Sequence, residues 1–146
     1  MLLNVIYGWH VINCVLLNNY KLIIMLFLFK KYKKYFYFFK LLDKYNIKYG
    51  FVDVSFFNKK LFDKTHQGIY AEISGFFYKS EDYLLNILSK KSTVLLLIFD
   101  SIIDPQNFGV CFRVSSLVGV DAIVVTYDNS CIITDIVHKI SCGASL

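Results

Sequence analysis

The chain of 146 residues holds one proline (Pro105), one arginine (Arg113) and one tryptophan (Trp9). Its four cysteines, Cys14, Cys111, Cys131 and Cys142, form no CxxC pair, and His10, His66 and His138 are scattered among them. These spacings exclude the common zinc sites, so no metal is expected, and reduced, mostly buried thiols in a cytoplasmic protein follow. No GxGxxG and no phosphate-binding P-loop occur. Long apolar runs are also missing. Leu22–Phe29, LIIMLFLF, is eight residues long and is closed by Lys30, Lys31, Lys33 and Lys34. A membrane span needs about 20 apolar residues, so this run reads as a buried strand and no membrane partner is expected. A basic start, an apolar core and a small-residue cleavage site are not found in sequence, so no signal peptide is expected.

What is abundant is apolar, aromatic and lysine-rich. Hydrophobic residues make up 56% of the chain, with 14 Phe and 11 Tyr. That suffices for one ordinary domain or two small ones. Lys, Asn, Ile, Phe and Tyr are the residues of AT-rich codons, so mutational drift accounts for much of the surface lysine and aromatic content. Charge is uneven within the net +5. Residues 1–91 carry fourteen lysines against six acids, whereas residues 92–146 carry Lys139 and Arg113 against five acids. A basic front part is what attraction to a phosphate backbone requires; codon bias produces the same asymmetry, and both readings stand.

Periodicity divides the chain into alternating helices and strands. Val11, Ile12, Val15 and Leu16 share helical spacing over Gly8–Asn18. A strand follows at about 22–29. Tyr35, Phe38, Phe39 and Leu42 line one face of a helix over Tyr32–Tyr45. Ile47–Val54 reads as a short strand, Ser55 as the cap of a brief helix over Phe56–Phe62, His66-Gln67-Gly68 as a turn and Ile69–Ile73 as a strand. Ser80 caps a helix over Glu81–Leu88, and Ser89-Lys90-Lys91-Ser92 is a polar link. Val94–Phe99 and Asp121–Thr126 are strands around a helix at Gly109–Val118, and Cys131–Ser141 reads as a helix begun at Asn129 or Ser130. Such alternation predicts an α/β fold with parallel sheets and right-handed crossovers.

The most informative segment is Asp100–Arg113, DSIIDPQNFGVCFR, between a strand and a helix. Ligands of open α/β sheets bind at that carboxyl edge. Asp100 and Asp104 could form a paired-carboxylate acid/base site, but without a nearby His or metal ligand, turn-forming and helix-capping roles are the better reading. Arg113 reads by itself as a salt-bridged surface residue. His10 and His66 read as hydrogen-bonded structural groups, Trp9 as core, and the lysines at 30–34 either as a solvated helix start or as an RNA contact.

Four strings taken together resemble a known family. Tyr7-Gly8-Trp9-His10 resembles the YGxH start of SpoU-type RNA ribose methyltransferases, of the SPOUT superfamily. His66-Gln67-Gly68-Ile69 resembles the HQGI element that closes their substrate-recognition domain. Asp100–Gly109 with Arg113 resembles their first signature motif, and Lys139–Ala144, KISCGA, the KxxxGA stretch after it. The resemblance implies a small α/β RNA-recognition domain at 4–79, a linker at 80–93 and the first half of a knotted (trefoil) SPOUT methyltransferase domain at 94–146. It further implies transfer of a methyl group from S-adenosylmethionine to a ribose 2′-hydroxyl, on a guanosine of large-subunit rRNA, by a homodimer. Its candidate catalytic residues here are Arg113 and Asn107. A guanidinium, with a pKa above about 12, is a phosphate clamp and orienter rather than a base. Asn107 would hold the loop or bond the substrate, and Pro105 and Gly109 would shape the turn.

The sequence departs from the family's pattern after KISCGA. The second and third motifs, which supply most of the cofactor pocket and the knot, are not found. The chain is therefore expected to be a carboxyl-terminally truncated version that binds no S-adenosylmethionine and transfers no methyl group alone. Alternative readings are a non-catalytic RNA-binding remnant and one half of a split enzyme. Apolar sheet edges left uncovered would make the second part poorly soluble.

Overall fold

The computed structural model describes residues 4–30, 35–62, 64–75 and 78–146. The chain divides into two compact units, one spanning residues 1–75 and one spanning residues 76–145, with Leu146 grouped with the first.

The first unit contains β1 (Asn4–Tyr7), α1 (Trp9–Asn18), β2 (Ile23–Phe29), α2 (Tyr35–Lys44), β3 (Tyr49–Val52), α3 (Val54–Leu61) and β4 (Ile69–Ile73). Its sheet order is β1-β4-β2-β3. β2 and β3 are parallel, but β4 is antiparallel to both of its neighbours, β1 and β2. The expectation of an all-parallel sheet is therefore corrected. The strands joined through α1 and α2 do share a direction. After α3, the chain re-enters from the opposite end and inserts β4 between β1 and β2. The strand β1 itself was not expected, because four residues before a helix give almost no alternation to read.

Alternation along the strands then makes two cores. Ile6, Leu26, Leu28, Ile69, Ala71 and Ile73 face α1 and α2, where Val11, Ile12, Val15, Leu16, Phe38 and Leu42 complete one cluster. Tyr7 and Tyr70 face the other way, onto Phe57 and Leu61 of α3. Helices thus cover both faces. One helix start differs from expectation. The cap of α3 is Asp53 rather than Ser55, and its carboxylate makes no capping bond but pairs with Lys30 at 3.6 Å. The amphipathic helix begins within the described residues at Tyr35; its expected start at Tyr32 and the lysines at 31, 33 and 34 lie outside the described residues.

The second unit contains α4 (Glu81–Leu88), β5 (Leu96–Phe99), α5 (Pro105–Val118), β6 (Ala122–Val125) and α6 (Asp135–Ile140). β5 and β6 are parallel neighbours. Ser80 caps α4 as expected, its Oγ accepting from Tyr83 N–H at 3.3 Å. Asp121 ties the entry of β5 to that of β6: its carboxylate accepts from Leu95 N–H at 2.9 Å and pairs with Lys91. That ammonium, followed by the Leu95 amide, holds the Asp121 carboxyl below the usual carboxylate range. Helix α6 starts at Asp135 under a Thr134 cap, later than the expected start near residue 130. The stretch before it is spent on bonds to the loop after β5 instead, including Cys131 N–H to Ile102 O at 2.7 Å.

Candidate functional site

In the first unit, two of the quoted strings meet at one place. Gly8 turns the chain from β1 into α1 at φ +94°, a conformation that side chains rarely adopt. Its N–H donates to Ile69 O at 3.3 Å. Trp9 N–H donates to Gln67 Oε1 at 3.0 Å, and the Trp9 indole N–H to Gln67 O at 3.0 Å. Gln67 and Gly68 both have positive φ, which directs the amide and carbonyl of Gln67 toward Trp9. His66 Nδ1 accepts from Gly68 N–H at 3.0 Å, and its ring stacks on Phe57 at 4.6 Å. The YGWH and HQGI strings are thus the two halves of one clasp. The structural reading of His66 holds; Trp9 is half-buried and edges onto Phe38 at 4.6 Å.

In the second unit, the polar segment is built differently from expectation. Asp104, Pro105, Gln106 and Asn107 do not make a free turn before a helix at Gly109; they start the helix. Asp104 is the cap, accepting from Gln106 N–H at 3.1 Å and Asn107 N–H at 3.2 Å. Pro105 occupies the first helical position, where its fixed φ suits the helix and its missing N–H costs nothing. Gly109 lies inside α5, not in the turn. A Cβ there would sit 2.7 Å from Ile140 Cβ and 3.2 Å from Val137 O. Glycine is needed because α6 crosses α5 at that point. Phe108 beside it is fully buried, with Phe99 and Phe112 around it.

Asn107 and Arg113 are both exposed on α5. Their six-residue separation places them about 9 Å apart along the axis and about a third of a turn apart around it. The helix holds both at fixed positions without bringing them into one cluster. Asp100 bonds Ser101 Oγ at 3.1 Å, and Ser101 N–H donates to Thr126 Oγ1 at 3.3 Å. Thr126 and Ser130 hydroxyls lie 2.7 Å apart. The carboxyl edges of β5 and β6 are therefore tied by their own polar groups.

One constellation was missed in sequence. His138, Ser141 and Ser145 are all buried. His138 Nδ1 and Ser145 Oγ lie 2.8 Å apart, the two serine hydroxyls 2.9 Å apart, and Ser141 Oγ donates to His138 O at 3.1 Å. Burial pushes the His138 imidazole down to about 4, against a smaller opposing effect of Asp135. The signal was the closeness of His138, Ser141 and Ser145 around the KISCGA stretch, where positive φ at Cys142 and Gly143 turns the chain after α6. Among the described residues no group of His, Cys, Asp and Glu could hold a metal ion, and no helix is long and apolar enough to cross a membrane.

Residues 5–79 match the family model for RNA 2′-O ribose methyltransferase substrate binding. The chain is 32% identical over 146 residues to the 23S rRNA (guanosine-2′-O-)-methyltransferase RlmB of Haemophilus influenzae, covering 96% of this chain and 58% of that protein. The RlmB of Haemophilus ducreyi is 35% identical over 142 residues with the same coverage. Among solved structures, the SpoU methyltransferase AviRb of Streptomyces viridochromogenes, in complex with the cofactor AdoMet, superposes with a TM-score of 0.74 at 13% identity over 96% of this chain and 51% of that one. An AdoMet-bound rRNA methyltransferase of Sinorhizobium meliloti gives 0.69 at 12% identity. These structures share the fold. The chain spans about 58% of the length of the curated relatives. Through residues 5–79, which include the clasp of Gly8, Trp9 and Gln67, the chain belongs to the RNA 2′-O ribose methyltransferase substrate-binding family.

Proposed function

We propose that the first unit binds large-subunit rRNA, and that the second supplies the loop and helix of a ribose 2′-O-methyltransferase without forming its cofactor pocket. Residues 4–79 are assigned to RNA recognition, 80–93 to the connection and 94–146 to the methyltransferase part. The observation that carries the RNA reading is the substrate-binding family match over the first unit. Charge supports it. Residues 1–75 carry eleven lysines against four acids, and Lys21, Lys40, Lys44, Lys48, Lys59 and Lys60 are exposed. Phosphate contacts of this kind position RNA without reading its sequence.

The residues present do not fit S-adenosylmethionine. That molecule presents a carboxylate, an ammonium, a ribose and an adenine, each of which needs polar partners. The open groove between β5 and α5, about 470 Å³, is lined by Leu95, Leu97, Val110, Val114 and Val118 with almost no polar surface. Ser115 in its wall already donates to Cys111 O at 2.7 Å. The polar groups at the strand ends bond one another. By itself the chain is therefore assigned no methyl transfer. Arg113, exposed on α5, is assigned as phosphate clamp and orienter, and Asn107, on the same helix, as the residue that holds the loop or bonds the substrate, in a cytoplasmic enzyme.

Calorimetry of the purified chain with S-adenosylmethionine, beside a full-length RlmB as positive control, tests the second half of the proposal. No heat above background is expected; saturable binding would overturn it. Binding to a 23S rRNA fragment tests the first half, with micromolar affinity that weakens with salt expected and no binding at low salt overturning it.

A further inference from the structure

At the open edge of the first unit's sheet, three aromatic rings gather. Phe39 of α2 lies 5.4 Å from Tyr49 and 6.0 Å from Phe51 of β3, and the latter two are 6.1 Å apart, centroid to centroid. β3 is an edge strand. Its register pairs Tyr49 with Leu26 and Phe51 with Leu28, and both leucines are fully buried. One strand further out, the same face of the sheet is open: Tyr49 is 37% and Phe51 47% exposed. Exposed lysines lie next to these rings in sequence: Lys40 and Lys44 on α2 and Lys48 immediately before β3, with Asp43 the acid among them. Codon bias would add aromatics and lysines throughout the surface; it gives no reason for three rings to touch on one sheet edge.

We propose that Phe39, Tyr49 and Phe51 form a stacking platform for unpaired bases of RNA, with Lys40, Lys44 and Lys48 holding the flanking phosphates. The proposal rests on the RNA-binding reading of this unit and adds what kind of RNA it takes: a single-stranded segment rather than a helix. An exposed π-face set beside ammonium groups is the pairing that single-strand binders use, because every base offers a face to stack while its phosphates seek cations. A paired helix hides its base faces and would meet the lysines alone. A protein partner fits the patch less well, since the neighbouring lysines would be left to be desolvated without a counter-charge.

The test uses the full chain and two fluorescent RNAs of equal length, one unpaired and one fully paired, at one salt concentration. The wild type is expected to favour the unpaired RNA. The double variant Tyr49→Leu/Phe51→Leu keeps apolar bulk on the strand and removes the π-faces; a thermal melt monitors its fold. Its affinity for unpaired RNA should fall by roughly tenfold per lost ring, with duplex affinity unchanged. Phe51→Trp, which enlarges the π-face, should hold or raise affinity for unpaired RNA. A folded Leu variant that binds unpaired RNA as the wild type does would overturn the platform while leaving RNA binding standing. Wild-type protein that binds neither RNA would overturn the RNA reading itself. Self-association that disappears in the Leu variant, with RNA affinity unchanged, would reassign the patch as an interface between copies and likewise overturn the proposal.

Discussion

The two units bury different things. Among the described residues, seventeen buried hydrophobic side chains belong to the first unit and two, Phe108 and Val137, to the second; all four buried polar residues, Ser115, His138, Ser141 and Ser145, belong to the second. The first unit has helices on both faces of a four-stranded sheet. The second has a two-stranded sheet whose neighbouring helix α5 shows Val110, Val114, Leu117 and Val118 to solvent at helical spacing, each at least half exposed. A two-stranded sheet is marginal without further packing. The first unit is thus held by apolar area, whereas the second is held by helix crossing, caps and a buried hydrogen-bonded cluster.

The sharpest way to break this contrast is to hollow the first unit. Leu26→Ala removes a side chain buried at the centre of the sheet and should cost about 2–5 kcal/mol. Amide exchange resolved by residue should show protection lost across β2 and β4 while α5 and α6 keep theirs. Equal loss in both units would mean that they unfold as one. Acid should do the opposite. His138 titrates near 4 in the folded chain and near 6.5 when unfolded. As pH falls from about 6.5 to 4 the unfolded state takes up the proton first, so stability falls through that window. The loss amounts to roughly 3 kcal/mol. It should appear in the second unit and vanish in His138→Asn. A pH-independent second unit would show that the imidazole is not buried as described.

Gly109→Ala sharpens the comparison from the packing side. Alanine favours a helix by about 1 kcal/mol over glycine, but here its methyl would meet Ile140 and the Val137 carbonyl, and overpacking costs about 1–3 kcal/mol. A net loss of about 1 kcal/mol in the second unit's chemical denaturation is expected; a gain would mean that α6 can move aside. This glycine shows how far sequence reading reached. Its position in a familiar string was legible, yet its reason was not, because the close approach comes from a helix about thirty residues later. Apart from β1, the helices and strands of the first unit were legible because Val11, Ile12, Val15 and Leu16, or Phe38 and Leu42, repeat with a local period. The direction of β4 was not, since antiparallel insertion between β1 and β2 depends on pairing with strands distant in sequence. Asn107 and Arg113 were legible as candidates from their motif alone; their separation on α5 needed the helix start to be placed at Pro105.

The smallest effect concerns that helix start, and it distinguishes two readings of one carboxylate. Asp104 accepts two backbone N–H bonds at the head of α5, and its carboxylate also complements the positive end of the helix dipole. Asp104→Ala should cost about 1 kcal/mol of second-unit stability. The two amides sit on different carboxylate oxygens, so Asp104→Asn keeps an acceptor for one of them and loses the other bond and the charge; because asparagine caps about as well as aspartate, it should still recover part of that loss. A residue whose role was acid/base chemistry would show the reverse pattern: little change in stability for either variant, and equal loss of methyl transfer for both when introduced at the matching position of a full-length relative. With a capping role, the Asn variant of that relative should retain more of its transfer rate than the Ala variant. The reason is that Asn107 sits on the very N–H that Asp104 holds, so a frayed first turn displaces it. The pair of variants therefore measures how far the placement of a candidate site residue depends on one cap in a unit with few apolar contacts to spare.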